Sequence, residues 1–79
     1  MEMMLEFDPT ADAAYVELSD RPVDRTDELD QDRMVDYDAD GRVVGYEFLN
    51  VSRGVELRDL PHRDELAGLF EGRNIRVLV

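Results

Sequence analysis

The sequence predicts a small α+β domain: an antiparallel β-meander of four to five strands, a short C-terminal helix and a final edge strand. Three observations carry this. Apolar and polar residues alternate with period two over residues 3–7, 14–18 and 43–49, as half-buried strands do. Turn residues separate them, at Asp8-Pro9 and at Asp38-Ala39-Asp40-Gly41. Near the C-terminus the period changes, and Leu66, Leu69 and Phe70 form an i, i+3, i+4 stripe.

In the first strand Met3, Leu5 and Phe7 share one face. Pro9 blocks continuation, and the neighbouring aspartates can cap the turn. Ala14, Val16 and Leu18 then face inward, with Tyr15 and Glu17 outward, completing a hairpin. Residues 20–32 hold six acids and two arginines, with only Val23 and Leu29 able to pack. This segment reads as a loose edge strand guarded by charge or as an irregular loop; a short strand over 23–26 is expected. Residues 34–37 and 42–49 form a second hairpin around a type I turn with Gly41 in the left-handed region. Pairing Tyr37 with Arg42 puts Val35, Tyr37, Val44, Tyr46 and Phe48 on one face. A one-residue slip would put Asp36 beside Val44 and Tyr46 instead.

Residues 50–60 read as a connection with room for a helical turn. Residues 61–71 predict a helix, with Pro61 in its first turn, Asp64 and Glu65 at its positive end and Gly72 as its stop. Residues 75–79 are rich in β-formers and predict a last strand added at a sheet edge. Its free edge invites a second copy of the chain, and a homodimer is expected. Residues 1–79 make one domain, and a chain this short buries only a thin core.

The 79 residues carry a net charge of −11. The excess is one-sided: residues 1–50 hold fifteen acids and four arginines, and residues 51–79 five of each. Such a surface repels phosphates and anionic lipid, so neither nucleic acid nor membrane is an expected partner of the isolated chain. All nine basic residues are arginine, and aspartate outnumbers glutamate twelve to eight. This composition fits a salt-rich cytoplasm, where ~1 M salt screens repulsion beyond ~3 Å. The alternative is an acidic protein from a GC-rich genome. Without cysteine there are no disulfides or thiolate metal sites. The start of the chain lacks the basic region of a secretory signal and no apolar run reaches the ~20 residues of a membrane span, so a cytoplasmic location is expected.

Residues 36–47 carry Asp36, Asp38, Asp40, Gly41 and Glu47 at the spacing of a calcium loop. The same residues read as a hairpin, and the two readings exclude each other. In an extended strand Glu47 lies ~20 Å from Gly41, too far to complete a site at the turn. The hairpin is favoured, with Asp38 capping the turn; weak cation binding by Asp38 and Asp40 is left open. No metal, cofactor or catalytic residue is assigned. His62, the single histidine, reads as partly solvated. Tyr15, Tyr37 and Tyr46 read as core-edge residues rather than a ligand platform. Ser19 and Ser52 lack a nucleophile's context.

Three blocks, residues 7–20, 35–38 and 40–49, resemble in order and spacing the prokaryotic domain of unknown function 2283 family over about residues 4–53. The resemblance implies a small domain dominated by antiparallel strands. It supplies no activity and no catalytic residues, and it suggests an antitoxin-like or regulatory role beside small toxin-like partners. The expected function is a non-enzymatic protein-binding module whose acidic surface over residues 20–40 docks a basic partner. The alternatives are a small metal-dependent enzyme built at a dimer cleft and a structural subunit of an assembly.

Overall fold

The computed structural model describes residues 3–78. Five strands form one antiparallel sheet: β1 (Met4–Asp8), β2 (Ala13–Glu17), β3 (Arg25–Asp30), β4 (Arg33–Tyr37) and β5 (Val43–Leu49). Their spatial order is β1-β2-β5-β4-β3. A short 3₁₀ turn (Val51–Arg53) and one helix, α1 (Arg63–Glu71), follow.

The period-two patterns decide which face is buried. Ala14 and Val16 of β2, Val35 of β4, and Tyr46 and Phe48 of β5 enter one core, with Leu5 and Phe7 of β1 packed against it. Val51, Val55, Leu57, Leu66, Phe70 and Ile75 cover that face from the C-terminal half. Phe48 meets Phe70 edge-on at 5.1 Å between ring centres, the arrangement aromatic quadrupoles favour. Leu66 and Phe70 are buried and Leu69 packs beside them, so the helical stripe is the helix's inner face.

Two edges are free. β1 is one. The other is β3, all six residues of which are exposed. The strand expected over 23–26 lies over Arg25–Asp30 instead, because pairing with β4 selects it rather than burial. The 18–24 segment reaches it by crossing the ends of β5 and β4. It is fastened by the Leu18 amide on the Val44 carbonyl (2.8 Å) and the Asp24 amide on the Tyr37 carbonyl (2.7 Å).

The β4–β5 turn forms as expected. Asp38 Oδ1 accepts the amides of Asp40 (2.8 Å) and Arg42 (2.9 Å), and Gly41 takes φ 81°. The expected register is corrected. Tyr37 opposes Val43, while Asp36 opposes Gly45 and Val35 opposes Tyr46, leaving Val44 as the extra residue of a bulge. The bulge sends Val43, not Val44, against the main core, and Val44 is buried apart from it. Local alternation could not reveal it, because a bulge keeps strand character while breaking the parity.

Two further expectations are corrected at the C-terminus. Pro61 lies before the helix rather than in its first turn: His62 occupies the N-cap in a left-handed conformation (φ 61°), and α1 starts at Arg63. Gly72 does cap the helix as expected, its amide on the Gly68 carbonyl at 3.0 Å, although with right-handed angles; Asn74 takes the left-handed turn. The last strand does not join the sheet edge. Val77 makes an isolated parallel bridge with Val55, through the Val55 amide on the Arg76 carbonyl and the Leu78 amide on the Val55 carbonyl (both 2.8 Å). Burial of Ile75 in the core draws the segment over the sheet face, away from either edge; Val79 lies outside the described residues.

Candidate functional site

Three places gather the polar residues that the sequence singles out. The first is the outer sheet face. Tyr15 donates to Asp36 Oδ2 at 2.9 Å, and Thr26 of β3 donates to the other carboxylate oxygen. The Tyr15 ring crosses the sheet directly above Gly45, where a side chain would collide with its hydroxyl. Burial and the adjacent Asp36 carboxylate push the Tyr15 phenol well above its usual range, so it stays a neutral donor. Glu47 sits in mid-strand opposite Met34 and Tyr15. The calcium-loop residues are thus dispersed: Asp36 on Tyr15 and Thr26, Asp38 in its turn, Glu47 along β5. Among the described residues no three acidic or histidine side chains are grouped to hold a metal ion.

The second place is the acidic end of the sheet. Asp38 is buried, and Arg21 reaches it at 3.2 Å and Asp40 at 3.4 Å. The amide of Arg42, with help from Asp40 and Arg21, holds the Asp38 carboxyl below the usual range. The position open to a loose cation at Asp38 and Asp40 is therefore filled by the chain's own guanidinium. From this clamp the surface continues along exposed β3, with Asp27, Glu28 and Asp30, and with Val23 and Leu29 half-exposed (50% and 41%). Arg25 stacks 4.3 Å from the centre of the Tyr37 ring and steadies the strand where it has no core contact.

The third place is a cavity of about 300 Å³ between the 18–21 segment, the start of β5 and the start of the helix. It brings together Ser19, Asp38, Tyr46 and His62, which are far apart in sequence. His62 is half-exposed, with Nδ1 3.6 Å from Glu65. Ser19 Oγ accepts the Arg21 amide at 3.1 Å, a local turn contact. Ser52 lies elsewhere, bonded to Asp12 at 2.7 Å through its hydroxyl.

One polar centre escaped sequence reasoning. Arg33 is buried and ties β4 to the C-terminal segment. Its guanidinium donates to both oxygens of Asp59 (2.6 and 3.2 Å), to Asp30 (2.9 Å) and to the Glu56 carbonyl (3.2 Å). Its only signal was an arginine at an inward position of an alternating strand.

The fold and these sites define a small antiparallel β-sheet domain with an acidic, uncovered edge strand. The chain belongs to the family described as protein of unknown function (DUF2283), whose model matches residues 4–52. That span covers all five strands and ends in the 3₁₀ turn. No curated protein and no solved structure matches the chain.

Proposed function

We propose that this protein is a non-enzymatic binding module that docks a basic protein partner on β3 and the adjoining 20–24 segment. The observation that carries the reading is that β3 is an edge strand with no buried residue. A strand without core contacts contributes little to the domain's own burial. It does present an unpaired row of backbone donors and acceptors, which a partner strand or loop can complete. Its acids repel a second copy of this acidic chain and attract a cationic partner, while Val23 and Leu29 supply apolar anchors that salt does not screen. A toxin-like partner of the ribonuclease type suits this surface, since a protein that holds RNA must itself be basic.

The test compares the wild type with a variant carrying Asp27→Arg, Glu28→Arg and Leu29→Ser, each used to capture the product of an adjacent gene. Capture by the wild type, weakened by salt and lost in the variant, supports the reading. Equal capture by both sinks it.

We also propose self-association at the opposite edge, β1, where Met4 is 57% exposed. The composition supports a salt-rich working medium, in which repulsion among the 20 acids is screened.

A further inference from the structure

The cavity beside the Arg21–Asp38 clamp is lined by a tyrosine whose hydroxyl is left to solvent. Tyr46 is 3% exposed, and its hydroxyl makes no hydrogen bond to any described residue. No described side-chain oxygen is both sealed from solvent and unpartnered, so the Tyr46 hydroxyl retains some solvent contact. Tyr46 is one of the residues that line the cavity. Solvent is therefore the hydroxyl's available partner, one that a ligand's acceptor can replace.

Arg42 lines the same cavity and makes no ion pair among the described residues. The one carboxylate on the cavity wall, Asp38, is already satisfied by two backbone amides and Arg21. Of the rest of the wall, Arg21 is held by Asp38 and Asp40, Ser19 accepts the Arg21 amide and His62 lies 3.6 Å from Glu65, while Leu18, Val43, Pro61 and the Tyr46 ring are apolar.

These groups select a ligand class. Arg42 can only donate, and the Tyr46 hydroxyl is free to donate, so a ligand that uses both brings acceptors and negative charge. One unpaired guanidinium balances one charge, and the chain's net −11 opposes a multiply charged anion. The apolar wall wants a ring or a branched alkyl group. A cavity of roughly 150 Å³ holds benzene, so about 300 Å³ takes a ring with a short acidic arm.

We propose that this cavity binds a small apolar monocarboxylate, with its hydrocarbon part against Leu18, Val43 and the Tyr46 ring and its carboxylate on the Tyr46 hydroxyl and Arg42. The cavity lies off β3 and shares only Arg21 with the proposed docking segment, and the titration reads it with no protein partner present.

Phenylacetate serves as the probe and phenylacetamide as its neutral isostere, each titrated into the ¹⁵N-labelled full chain. The expected result is saturable shifts at Leu18, Val43 and Tyr46 with the acid, and affinity at least tenfold lower for the amide. Tyr46→Phe and Arg42→Gln should each weaken the acid about tenfold, the loss of one charge-assisted bond. Arg42 is an exposed turn residue, so its variant tests the site even if the Tyr46 variant fails to fold. Equal affinity for acid and amide, unchanged binding by Arg42→Gln, or no saturation in the millimolar range would each overturn the proposal.

Discussion

Replacing Arg33 by methionine should loosen the C-terminal segment from the sheet. Methionine keeps an unbranched apolar stem in the 9%-exposed slot, so the substitution chiefly removes the guanidinium. Four donor contacts disappear: two to Asp59, one to Asp30 and one to the Glu56 carbonyl. Hydrogen bonds to charged groups are worth ~1.5–3 kcal/mol each when well buried. Here the carboxylates are half solvated, with Asp59 61% and Asp30 46% exposed, so both rehydrate when the arginine leaves. The cost of stranding a buried charge, ~3–5 kcal/mol, therefore does not apply. Discounting each charged contact towards the surface range leaves a net loss of about 2 kcal/mol. For a domain of this size that lowers Tm by roughly 8–16 °C. Urea and thermal denaturation of the wild type, Arg33→Met, Asp59→Asn and the double variant measure it. The cycle should return a coupling energy of about 1 kcal/mol between the two residues. A stability change below ~0.5 kcal/mol for Arg33→Met, or independent effects in the cycle, would refute this account of how the C-terminal segment is held.

Three further outcomes follow from the same structure. Gly45→Ala should destabilise by roughly 1–3 kcal/mol, because a Cβ there overlaps the Tyr15 hydroxyl and comes within 2.7 Å of the Val16 carbonyl. Combining it with Tyr15→Phe should recover only part of the loss, since the backbone carbonyl cannot move aside, and full recovery would contradict the reading. Stability should hold near neutral pH and fall in acid. The Arg58 side chain, with its amide, depresses Glu56 from 4.5 to about 2, Arg33 lowers Asp59, and the Arg42 amide lowers Asp38. Each carboxylate's contribution is complete above its unfolded value and lost as pH drops through its lower native value, so Glu56→Gln should shallow the decline between pH 4.5 and about 2 in denaturation series. Thermal stability should rise with salt: at ~0.01 M the screening length is ~30 Å, comparable to the molecule's 33 Å longest dimension, and the acids repel across the whole domain. A Tm independent of salt between ~0.01 and ~1 M would remove the case for a salt-rich medium.

By itself the sequence determined the elements whose signals are local. Alternation marked β1, β2, β4 and β5 to within a residue or two, because a period of two has one buried solution per strand. The Asp38–Gly41 turn was equally legible, since a short acceptor side chain and a positive-φ glycine suit one geometry. The stripe Leu66, Leu69, Phe70 announced the helix face for the same reason.

Tertiary structure decided the rest. The position of β3 is fixed by ladder bonds to β4 rather than by burial, and an exposed, charged strand has no hydrophobic pattern to betray it. The Val44 bulge and the parallel placement of Val77 against Val55 depend on which distant surface each segment covers. The cavity is of the same kind. Leu18, Arg42, Tyr46 and Pro61 share it only because the 18–24 crossing and the start of the helix converge at one end of the sheet. Period and turn chemistry are properties of neighbours in the chain. A cavity, a bulge and a clamp such as Arg33 with Asp59 are properties of residues that meet only after the chain has closed on itself.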